Sequence, residues 1–119
     1  MAATKHMTIE KRLGLPDKAE ERALFGTFDL YDLVERYTPL VDFLLEDYAY
    51  PSDNASLIIR EMAHMSLLHC MMKFKNKNMH LGESSFSFFF TLLMRDLMND
   101  YIREGTAYRI SDTKIAAQK

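Results

Sequence analysis

A chain of 119 residues, 48% hydrophobic and 27% charged, carries enough apolar material for one packed domain and is not composed like a disordered chain. Its net charge of −2 leaves no overall basic field for nucleic acid, and its single cysteine excludes an internal disulfide and points to a reducing, cytoplasmic setting. Arg60, Glu61, Lys73 and Arg95 interrupt the longest apolar runs, so none reaches the ~20 residues of a membrane span.

In chain order, His6-Met7 has the pattern of a cloning junction, and the N-terminus lacks the apolar stretch of a signal peptide. Residues 1–7 are therefore set aside as a tag or disordered N-terminus, and 8–110 are read as a single helical domain. Pro16-Asp17 suits a helix first turn, where proline's missing N–H costs nothing and a carboxylate meets the positive end of the dipole. Gly26 is expected to close that helix, 16–25. Leu30, Val34, Tyr37, Val41, Leu44 and Tyr48 then fall on one helical stripe. Thr38-Pro39 interrupts it, which predicts two helices with Thr38 capping the second.

Pro51-Ser52-Asp53-Asn54 reads as a turn, with Asp53 or Asn54 capping the next helix, 54–73. That helix is apolar nearly all round, from Leu57, Ile58 and Ile59 to Cys70, Met71 and Met72. Such a helix is expected at the centre of a fold, with Ile58, Met62, Met65 and Leu68 largely buried. Lys73 to Asn78, then Gly82, reads as a basic connection. Ser84 or Ser85 caps a last long helix ending near Arg103, with Gly105 as its stop and Phe86, Phe90, Leu93, Met94, Leu97 and Tyr101 facing the core. A short extended piece follows at 107–110, and 111–119 is expected to be a flexible tail. The fold class is all-α: a compact bundle of about five helices around helix 54–73.

Candidate chemistry is sparse. Glu61 and His64 share a helix face at a spacing used by di-iron bundles, but those need the pair twice, and no second pair exists here. Asp42 and Glu46 could add oxygens, yet nothing requires it. His69 and Cys70 are adjacent and so point about 100° apart on a helix, which argues against a thiolate–imidazole pair. His80 stands alone. Gly82-Glu-Ser-Ser85 lacks the further glycines of a nucleophile elbow or phosphate loop. No catalytic residue, metal or cofactor is expected.

Two surfaces stand out. Lys73, Lys75 and Lys77 could bind an anion beside the N-terminus of the last helix, though lysines in a connection are more often simply solvated. Phe88 and Leu92 project with Arg95, Asn99 and Arg103, opposite the Phe86/Phe90/Leu97 stripe, and so place an apolar pair on a polar face. Asp29, Asp32, Glu35, Asp42, Glu46 and Asp47 against Arg36 make 28–50 strongly acidic, a polarity that can steer a partner or a second copy. Nine methionines make the chain methionine-rich, most of them expected in the core, some available to an adaptable surface.

A central apolar helix wrapped by amphipathic ones resembles the layout of the Bcl-type helical apoptosis regulators. No motif of that family is present, so the resemblance implies only a groove binder as one alternative. The main reading is a non-enzymatic protein-binding module, a regulator, inhibitor or adaptor that forms a homodimer through Phe88, Leu92, Arg95 and Asn99. Nucleic-acid or phosphate binding through Lys73–Lys77 is the other alternative, and no membrane is expected as partner.

Overall fold

The computed structural model describes residues 8–110; the expectations for 1–7 and 111–119 lie outside them. Among the described residues there are five α-helices: α1 (Ile9–Arg12), α2 (Lys18–Thr27), α3 (Leu30–Leu45), α4 (Asp53–Asn76) and α5 (Phe86–Arg103). A 3-10 turn, Met79–Leu81, joins α4 to α5. Two short strands, β1 (Tyr48–Ala49) and β2 (Tyr108–Arg109), pair antiparallel with Tyr48 opposite Arg109. No described helix is long and apolar enough to cross a membrane.

Side-chain caps set most helix starts. Asp17 and Glu20 form a capping box at α2, Asp29 accepts from the Tyr31 and Asp32 amides at α3, and Ser52 rather than Asp53 or Asn54 caps α4. Ser85 caps α5. Gly26 does not end α2. The helix runs on to Thr27, and Phe28 takes the left-handed conformation at φ 50°, a cost offset by packing of its ring near Phe25.

The expected break at Thr38-Pro39 is also absent, and α3 is one helix with Pro39 inside it. Pro39 and Glu35 lie on the face turned away from the core, so the Glu35 carbonyl left without its helical donor can be hydrated. Buried residues on either side, Leu33 and Tyr37 before and Leu40, Val41 and Leu45 after, pin both halves to one core. The buried stripe is thus turned slightly from the expected one, with Leu30, Val34 and Leu44 at its edge.

The core centres on an aromatic cluster. Phe25 of α2 lies 5.0 Å from Phe74 of α4 and 5.4 Å from Phe86 of α5, and Tyr37 of α3 lies 4.8 Å from Phe86. Beside it sits a buried carboxylate. Glu21, only 1% exposed, accepts from the Tyr37 hydroxyl at 3.1 Å, the Phe86 amide at 2.7 Å and the Lys18 ammonium at 2.8 Å. Three helices are tied by one side chain.

Helix α4 packs between α3 and α5 and touches the 3-10 turn, which makes it the middle element of the bundle. It is not enclosed. Its buried stripe is Ile59, Ala63, Leu67, Cys70, Met71 and Phe74, whereas Ile58, Met62 and Met65 are exposed and Leu68 is half-buried. Those four residues, expected to be largely buried, therefore stand outside the inner face of α4. A helix apolar on all sides offers several possible inner faces, and the closest packing goes to the stripe carrying small Ala63 and the aromatic Phe74.

Candidate protein-binding surface

On a helical wheel, Ile58, Met62, Met65 and Met72 stand roughly opposite the buried stripe of α4 and are all exposed, Met65 at 51%. On α5 the inner face is Phe86, Ser87, Phe90, Met94 and Met98, and the outer face carries Phe88, 58% exposed, and Leu92, 43% exposed. Between α4 and α5 lies a cleft of about 370 Å³ lined by Ser66, His69, Cys70, Lys73, Leu93, Leu97 and Asp100. Leu93, expected to face the core, is exposed at this cleft. Large apolar side chains therefore spread over two adjacent helices, where a soluble surface normally scatters them singly.

Arg95 is exposed, lines clefts with Asp47 and Tyr48, and has no ion pair or hydrogen bond among the described residues. Asn99 is half-buried and accepts from Arg109 at 3.1 Å. Arg103 pairs with Asp100. Of the sequence-predicted quartet, Phe88 and Leu92 are exposed on the outer face of α5, Arg95 stands with Asp47 and Tyr48, and Asn99 is engaged by Arg109. The exposed face of α4 was not anticipated from the sequence.

On the other flank of α4, an apolar groove of about 570 Å³ is lined by Leu30, Tyr31, Val34, Glu35 and Leu68. Tyr31 is 79% exposed. Glu35 and Glu61 are exposed and without ion pairs among the described residues, while Asp42 pairs with Arg60 at 3.3 Å.

The lysines sit differently from expectation. Lys73 and Lys75 belong to the last turn of α4 and Lys77 is its C-cap, so they lie on a helix end and not in a loop. Cations there suit the negative end of the helix dipole. Lys73 lies over the Phe89 ring at 6.0 Å, and Lys75 donates to the Gly26 carbonyl at 3.4 Å.

The remaining polar candidates are dispersed. The His64 Nδ1 lies 2.8 Å from the Arg60 carbonyl, and Glu61 points into solvent. His69 is exposed while Cys70 is buried. Burial pushes the Cys70 thiol up to about 11, only partly countered by Lys73. His80, expected to be an isolated loop residue, is buried and stacks on Phe25 at 5.9 Å. Burial and the Glu21 carboxylate raise the Tyr37 hydroxyl well above its ordinary range. Among the described residues no three His, Cys, Asp or Glu side chains converge as a metal site would need. No family model, curated protein or solved structure matches this chain.

Proposed function

We propose that this chain is a non-enzymatic protein-binding module, a regulator, inhibitor or adaptor of the cytoplasm, and that it works as a homodimer. The observation that carries the reading is the apolar outer surface of α4 and α5, where Ile58, Met62, Met65 and Met72 are exposed on one helix and Phe88 and Leu92 on its neighbour. Water exposure of that surface is unfavourable at ~25 cal/mol per Å² of apolar area, so a partner that covers it gains free energy. Methionine suits the role because its unbranched, polarizable side chain adapts to the opposing surface. The non-enzymatic part rests on dispersal: Cys70 is buried with a raised thiol, His64 sits against a backbone carbonyl, and His80 packs on Phe25.

Sedimentation equilibrium of the wild type and of the Phe88→Ser/Leu92→Ser double variant tests this. A dimeric wild type and a folded, monomeric variant are expected. A wild type that stays monomeric at high protein concentration would refute self-association.

A further inference from the structure

We infer that a furrow along the outer face of α3 receives a basic, amphipathic helix of another protein; this gives the protein-binding reading a partner chemistry and does not depend on self-association. The apolar groove that Leu68 walls at one end of α3 is followed by a second, of about 530 Å³, walled by Leu13, and Glu35 lines both. Every α3 residue that lines them falls into one of two adjacent rows with a spacing of four. One row runs Leu30, Val34, Thr38, Asp42, Glu46, and the other runs Tyr31, Glu35, Pro39, Phe43. Rows of this spacing are the ridges by which helices pack. The furrow between two of them takes the matching ridge of a second helix, with the axes crossing at about −50°. From Leu30 to Glu46 the furrow covers ~24 Å of the helix, room for several turns of a partner.

The lining selects the occupant. Leu30, Tyr31, Val34, Pro39 and Phe43 make the furrow largely apolar, and Glu35, Asp42 and Glu46 set exposed carboxylates along it. No Lys or Arg lines either groove among the described residues. Asp42 shares Arg60 at 3.3 Å, whereas Glu35 and Glu46 have no ion pair there. Pro39 has no N–H, so the Glu35 carbonyl adds an acceptor on the same side, and the Thr38 hydroxyl already donates to the Val34 carbonyl at 2.6 Å. A docked helix must therefore bring apolar side chains and cations in one row, and an acidic row is repelled. The exposed apolar rows of this chain do not supply that. On α5, Phe88 and Leu92 continue into Asp96 and Asp100. On α4, Ile58 and Met62 continue into Ser66 and buried Cys70, Leu57 and Met65 share a row with Glu61, and Met72 follows Leu68, which already walls the furrow. The complementary helix belongs to a different protein.

The probe is a fluorescein-labelled, alanine-based helical peptide of ~16 residues that carries two Leu and then two Lys in one row with a spacing of four. Fluorescence anisotropy should show saturable binding to the full chain. Peptides with Glu for Lys, or Ser for Leu, should bind about tenfold or more weakly. On the protein, Glu35→Lys/Glu46→Lys and the exposed Tyr31→Ser should each weaken the Leu/Lys peptide by about the same factor, with circular dichroism confirming that the variants are folded. Glu61→Lys/Glu83→Lys changes the net charge equally outside the furrow and should leave binding within about twofold of wild type. Absence of saturable binding, or equal losses for the two double variants, would overturn the assignment. If Glu35→Lys/Glu46→Lys instead turns a dimeric wild type into a monomer by sedimentation, a second copy fills the furrow, and this occupant is wrong while self-association stands.

Discussion

Replacing Glu21 isolates what holds α2, α3 and α5 together. Its side chain is 1% exposed and accepts from three donors, two of which, the Tyr37 hydroxyl and the Phe86 amide, belong to buried residues. Glu21→Ala leaves both without a partner, at about 1–3 kcal/mol for each buried donor. Lys18 is only partly covered and returns to water, so it adds little. The expected loss is ~3–5 kcal/mol, a large share of the ~5–15 kcal/mol of an ordinary domain. Glu21→Gln keeps an oxygen for Tyr37 and Phe86 and gives up the charge and the acceptor for the partly exposed Lys18, so it should cost about 1 kcal/mol. Urea unfolding followed by far-ultraviolet circular dichroism at fixed protein concentration measures both. Equal losses for Gln and Ala would show that charge, not hydrogen bonding, carries the contact. A loss below ~1 kcal/mol for Ala would show that the node holds nothing.

Three further outcomes follow from the same structure. Leu67→Ala, at a fully buried position of α4, should cost ~2–5 kcal/mol, whereas Met65→Ala on the outer face should cost far less in a monomeric background; comparable losses in urea unfolding would mean that α4 is buried differently. Iodoacetamide should modify Cys70 slowly at neutral pH, with the rate rising toward pH about 11; a midpoint near the ordinary thiol value would contradict its burial. Tyr37 has a folded-state pKa raised above its unfolded value, so its contribution is fully present below pH ~10 and is lost as pH climbs beyond that. Alkaline unfolding profiles of wild type and Tyr37→Phe should therefore converge as pH rises, and parallel profiles would rule the coupling out.

Much of the fold was legible in local chemistry. Helix starts are written in short-range caps, as at Ser85, and the polar face of α5 is regular enough for Phe88 and Leu92 to stand out. The inner face of α4 was not legible. When a helix is apolar all round, composition cannot say which side meets the core, so Met62 and Met65 read as core residues. Pro39 misled for a related reason: its local penalty is tolerated because residues before and after it are buried in the same core. Glu21 carries no local signal of its role, since its partners Tyr37 and Phe86 lie 16 and 65 residues further along the chain. The apolar surface proposed for binding was thus half visible, through α5, and half hidden, in α4.

Whether protein covers the outer faces of α4 and α5 in solution can be read from the methionine methyl groups. Carbon-labelled methionine methyl spectra recorded over a dilution series should show Met62, Met65 and Met72 shifting together with concentration. The buried Met71, Met94 and Met98 should hold nearly constant. Concentration-independent signals from the three exposed methionines, over a dilution range in which sedimentation shows the dimer dissociating, would place the interface elsewhere.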